Sequence, residues 1–145
     1  MIKEPPFFEN VNEGDELPPI KKGPINRTQL VKYAGASGDF NPMHHDEVFA
    51  KNAGMPSVFA HGMLSMGFAG QLVVDWCGNE ALKRLGVRFA AITWPGDVIM
   101  CKGKVVKKYQ EQGKNLVDCE IYCENQNGQK TVTGSATVEL PSKKG

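Results

Sequence analysis

Between Gly62 and Cys77 the chain reads GMLSMGFAGQLVVDWC, and ten of those sixteen residues are apolar. They fall nearly all round the helical wheel, which predicts a helix buried on every side rather than one lying on a surface. The segment is too short to cross a bilayer. Upstream, Asn26 with Gln29 three residues on forms a capping-box pattern, and Leu30, Val31, Tyr33, Ala34 and Ala36 follow at helical spacing. That predicts a short helix from Arg27 to about Ser37, stopped by Gly38. A second short helix is expected over Asp46–Asn52, followed by a loop over Ala53–Phe59.

Beyond Cys77 the period changes to two. Val117, Cys119, Ile121 and Cys123 alternate with Asp118, Glu120 and Tyr122, the pattern of an antiparallel strand with one wet face. Strands are expected over Gly86–Thr93, Val98–Tyr109, Leu116–Glu124 and Lys130–Leu140. Turn signals separate them at Pro95-Gly96-Asp97, Gln112-Gly113 and Asn127-Gly128. Five of the nine prolines lie in the first 24 residues, so residues 1–24 read as an extended arm with a short strand near Leu17–Lys22. One buried helix followed by a four-stranded meander gives an α+β fold, an antiparallel sheet curled round a central helix.

A chain of 145 residues is the length of one domain, 1–145, and buries roughly 70% of its unfolded surface without metal or disulfide staples. Its net charge of +1 argues against a nucleic-acid binder, which carries a basic excess. No apolar run is long enough for a membrane span. The opening residues lack a basic region followed by an apolar core, so no secretory signal is expected. Cys77, Cys101, Cys119 and Cys123 form no C-x-x-C pair, and read as reduced, buried thiols of a cytoplasmic protein rather than a metal site. The 16 glycines mean either frequent turns or close backbone approach to a ligand.

Chemistry concentrates in two places. Asp39 and His44 lie five residues apart around a Gly38–Pro42 turn. A carboxylate and an imidazole held together can share one water and pass its proton. The same pair also satisfies a structural reading, with Asp39 in an Asx-turn and His44 capping the next helix. His61 and Gly62 stand where the buried helix begins, and free N–H groups at a helix start stabilise a thioester oxygen that gains enolate charge. Here too a structural reading exists, with His61 as cap and Gly62 as a packing glycine. His45 is expected to be exposed and uninvolved, and Trp76 and Phe68 to be core. Lys83, Arg84, Arg88, Lys102, Lys104, Lys107 and Lys108 are candidate phosphate contacts, though surface cations are usually just solvated.

The run YAGASGDFNPMHHD followed by FAHGM resembles the signature of the MaoC-like hydratases and dehydratases, the (R)-specific enoyl-CoA hydratase group of the hotdog superfamily. Trp94-Pro95-Gly96-Asp97-Val98 and Thr133-Gly134-Ser135-Ala136 extend the similarity across residues 27 to 140. The resemblance implies a hotdog fold, paired as a homodimer or with another hotdog subunit. It implies reversible hydration of trans-2-enoyl thioesters, on CoA or acyl-carrier protein, with no cofactor and no metal. It makes Asp39 and His44 the catalytic pair, with Asn41 orienting the site, the Gly62 N–H polarising the thioester carbonyl, and His61 beside the substrate. A hotdog thioesterase and a non-catalytic acyl-binding subunit are the alternatives. Some short hydratases carry a serine six residues after the helix-start histidine, where this chain has Gly67. Together with Gly70, that missing side chain suggests room for a longer acyl chain along the helix.

Overall fold

A computed structural model describes residues 4–145, so the first three residues of the expected arm lie outside it. The elements are β1 (Ile20–Lys22), α1 (Arg27–Ser37), α2 (Glu47–Asn52), α3 (Gly62–Cys77), β2 (Leu82–Phe89), β3 (Ile99–Glu111), β4 (Lys114–Glu124) and β5 (Lys130–Glu139), with short 3-10 turns at Phe8–Asn10 and Pro42–His44. The five strands form one antiparallel sheet in the order β1-β3-β4-β5-β2.

α3 packs against β2, β3, β4 and β5, as expected for an apolar helix enclosed by a sheet. Leu64, Phe68, Ala69, Leu72, Val73 and Cys77 are buried on it. They meet the inward-facing Val117, Cys119, Ile121 and Cys123 of β4, whose burial alternates residue by residue as the two-residue period requires. Phe68 is core and Trp76 is half-buried against it. All four cysteines are free and buried. Desolvation pushes the Cys77 thiol up to about 11 and the Cys119 thiol to about 12, so both are held as inert thiols.

Two expectations about the sheet are corrected. The first of the four strands covers Leu82–Phe89, not Gly86–Thr93. Its ladder with β5 starts at Leu82 opposite Val138 and ends at Phe89 opposite Val132. Lys83 and Arg84 mask its beginning in the sequence, yet charges suit an exposed edge strand. At its other end the chain leaves the ladder, and the Thr93 carbonyl accepts the Ala60 N–H instead. Nor do the four strands form a simple meander. Only β3, β4 and β5 follow one another, while β2 crosses to the far side of β5.

The early chain is arranged as its capping residues require. Asn26 Oδ1 accepts the Gln29 N–H at 2.8 Å, and Gly38 ends α1 in the left-handed conformation at φ 75°, which a side chain would disfavour. Asp46 proves to be the cap of α2 rather than its first residue, accepting the Phe49 N–H. Arg27 Nη1 meets Glu47 Oε2 at 2.7 Å, and Glu47 also accepts the Val58 N–H. That ties α1, α2 and the loop before α3 together and frames the turn carrying Asp39 and His44.

Candidate active site

The turn after α1 is built from its own side chains. Asp39 Oδ1 accepts the Asn41 N–H at 3.2 Å, and Asn41 Oδ1 accepts the Met43 N–H at 3.0 Å. Asn41 thus holds the Asp39 carboxylate with its backbone N–H and caps the 3-10 turn with its side chain. Pro42 starts that turn and His44 ends it. The Asx-turn expected of Asp39 is present, and it leaves the carboxylate at the same turn as His44.

His44 is buried, and its Nδ1 lies 2.6 Å from the Phe59 carbonyl oxygen. A carbonyl only accepts, so Nδ1 carries the proton and Nε2 of the neutral ring carries the lone pair. His61 is 1% exposed. Its Nε2 donates to the Asp39 carbonyl oxygen at 3.1 Å. Its ring stacks on His44 with centroids 3.8 Å apart and planes 26° from parallel. Tyr33 of α1 also meets the His61 ring edge-on at 4.8 Å. Although His61 is the residue before α3, its side chain makes no capping hydrogen bond. The cap expected of it is absent, because the ring turns toward Asp39 and His44.

The structure therefore brings Asp39, His44 and His61 into one cluster, with one ligand-type atom from each all lying within 4.8 Å of one another. Such spacing alone would suit a metal. The bonds from His44 Nδ1 and His61 Nε2 to backbone carbonyls leave His44 Nε2 and His61 Nδ1 with their lone pairs free, and a carboxylate beside two such imidazoles equally suits proton transfer.

Gly62 stands next to this cluster at the first position of α3, and among the described residues its N–H has no backbone partner. A Cβ there would lie 3.0 Å from the Phe89 ring, so glycine permits the close approach. A cavity of about 330 Å³ opens beside it, walled by Phe59, Ala60, Phe89, Ile92 and the hydroxyl-bearing Ser65, Thr93 and Thr131. Phe59, whose carbonyl holds His44, is part of that wall. Ser65 and Thr93 are buried with their hydroxyl oxygens 3.5 Å apart. Gly67 faces open space and Gly70 packs against Leu85, so neither lines this cavity. His45 is exposed, as expected. Of the candidate phosphate contacts, Lys102 is paired with Glu124 at 2.7 Å and Lys83 with Glu139 at 3.6 Å.

The carbonyl of Phe59 and the Thr93 loop escaped the sequence reading. A backbone carbonyl has no residue signature, and Thr93 reaches the site only because β2 ends early.

A sheet enclosing one apolar helix, with a carboxylate and two imidazoles gathered where that helix begins, defines a hotdog-fold domain. A profile of the MaoC-like domain matches residues 9–137, and the chain belongs to the MaoC-like dehydratase family. It is 29% identical over 139 residues to the (R)-specific enoyl-CoA hydratase of Rhodospirillum rubrum, covering 94% of this chain and 93% of that protein. It is 32% identical over 100 residues to the peroxisomal hydratase-dehydrogenase-epimerase of Neurospora crassa, covering 69% of this chain but spanning only 10% of that protein. The unliganded R-hydratase PhaJ1 of Pseudomonas aeruginosa superposes with a TM-score of 0.84 at 25% identity, covering 94% of this chain and 86% of that one.

Proposed function

We propose that this chain, acting as one MaoC-like domain over 1–145, adds water reversibly across trans-2-enoyl thioesters to give (R)-3-hydroxyacyl thioesters. The observation that carries this reading is the gathering of Asp39, His44 and His61 at the start of α3, where the Gly62 N–H borders a cavity walled in part by Phe59, whose carbonyl anchors His44. His44 Nε2 and the Asp39 carboxylate hold one water between them. The water oxygen bonds to C3 as its proton passes to this pair. Electrons of the C2–C3 double bond move toward the thioester carbonyl, and the Gly62 N–H stabilises the enolate oxygen. A proton from the pair then closes the C2–H bond, and the enzyme returns to its starting state. The thioester is carried by CoA or acyl-carrier protein. Four reduced, buried thiols fit a reducing, cytoplasmic setting. Among the described residues, no helix is long and apolar enough to cross a membrane.

Loss of enoyl-thioester absorbance with crotonyl-CoA tests the reading, with thiol release followed in parallel. Asp39→Asn and His44→Ala are each expected to lower kcat/KM by about 10²- to 10⁴-fold, the exposed Asp39→Asn without moving the melting temperature and the buried His44→Ala with some loss of stability. Thiol release in place of hydration would make the protein a thioesterase, and variants as active as the parent would remove the pair from the chemistry.

A further inference from the structure

His61 does a task that neither a helix cap nor a substrate contact accounts for. It is buried, it lies under His44, and it makes no capping bond. Its Nδ1 is the one buried side-chain nitrogen or oxygen without a partner among the described residues. A polar ring is thus kept in a place where an apolar one would avoid an unpaired acceptor.

We propose that His61 is the positioning residue of the site: it holds Asp39 through the backbone carbonyl and supplies a neutral flat face on which the His44 ring rests as it gains and loses a proton. This inference rests on the reading of Asp39 and His44 as the acid–base pair.

The two attachments act on the two partners separately. The Nε2–H bond to the Asp39 carbonyl at 3.1 Å fixes the strand of turn from which the carboxylate projects. The stack at 3.8 Å fixes the tilt of the His44 ring, whose own anchor is the Phe59 carbonyl. An imidazolium on an uncharged π-face is favoured, whereas two stacked cations repel. His61 is suited to remain the uncharged member. Burial pushes its pKa below the ordinary imidazole value, the Asp39 carbonyl bond pulls it back up, and the His44 charge lowers it again. The titratable groups facing it are Asp39, His44 and His45 from the turn and Tyr33 from α1.

Two substitutions divide the task. His61→Gln keeps an amide donor toward the Asp39 carbonyl and removes the flat ring. His61→Phe keeps the flat ring and removes the donor. With crotonyl-CoA, both are expected to lose kcat by about tenfold or more, with KM within about twofold, since small misplacement of reacting groups is costly. The acid limb of the kcat/KM pH profile is expected to move by about half a pH unit in His61→Gln, the size of a lost cation–π contact, and to stay in place in His61→Phe. Loss of kcat with a parental limb in both variants would mean that His61 only fills space, and parental kcat in both would remove it from the site; either result overturns the proposal. Nitrogen-15 spectra of the three histidines in the parent protein give a readout independent of activity and of variant folding. His61 is expected as the neutral Nε2–H tautomer at pH values where an ordinary imidazole is already charged, since burial disfavours its cation. An Nδ1–H tautomer, or a ring that charges as an ordinary imidazole does, would overturn it. A parent protein that hydrates no enoyl thioester would sink the hydratase reading instead, whatever tautomer the spectra show.

Discussion

At the scale of single residues, each side chain of the site is held by a bond to backbone rather than to another site side chain. Phe59 holds His44, the Asp39 carbonyl holds His61, and the Asn41 N–H holds the Asp39 carboxylate. Side-chain freedom is thereby removed while His44 Nε2 stays free, which is what preorganisation for the proposed reaction requires. Further out, Glu47 carries much of the frame. Its bond to Arg27 holds its carboxyl down at about 2, with the Val58 N–H and Lys51 adding to it. A depressed carboxylate stabilises the fold above its unfolded value of about 4.3 and loses that contribution as pH falls through the folded value. Urea melts of the parent are therefore expected to weaken between about pH 4.5 and 2, and Glu47→Gln is expected to flatten part of that slope while leaving stability at pH 7 lower. Equal slopes in the two proteins would show that the Arg27 pair adds nothing. Asp39 and His44 were legible as candidates in the sequence because residue type and spacing carry the proposed chemistry. The tautomer of His44 was not, because a neighbouring backbone carbonyl decides it.

At the scale of elements, caps and periods were the readable part. Asn26, Gly38, the apolar run of α3 and the alternation of β4 all placed their elements to within a residue or two. β2 was displaced because its ends are set by pairing with β5 and by the Thr93 carbonyl, not by its own composition. The glycines of α3 differ from one another for a similar reason. Gly62 meets Phe89 and Gly70 meets Leu85, whereas a Cβ at Gly67 meets nothing within 4 Å. Gly67→Ala is expected to raise stability by about 1 kcal/mol through helix propensity, or about 3 °C in melting temperature for a domain of this size. A fall in melting temperature would mean that the face around Gly67 is closely packed against another chain.

At the scale of the whole molecule, apolar surface remains uncovered around the site. Met63 is 55% exposed, Phe89 53% and Phe40 63%, and β2 leaves one edge of the sheet unpaired. Exposed apolar groups beside a free strand edge mark an association surface. Light scattering on the purified protein is expected to show a dimer, and dilution to lower the melting temperature, because association stabilises by mass action. A monomer with a concentration-independent melt would instead leave this surface for the acyl substrate alone.

Length, period and capping determined the fold class, the buried helix and the half-buried strands, because these depend on residues near one another in the chain. The sequence also marked Asp39, His44 and Gly62 as candidates for the proposed chemistry, which calls for a carboxylate, an imidazole and a closely approached backbone N–H. Only the tertiary structure decided that β2 crosses to the far side of β5, that the Thr93 loop joins the site, and that His61 lies flat beneath His44. Those outcomes rest on pairings between segments distant in the chain, where backbone groups and ring faces meet without any local pattern to announce them.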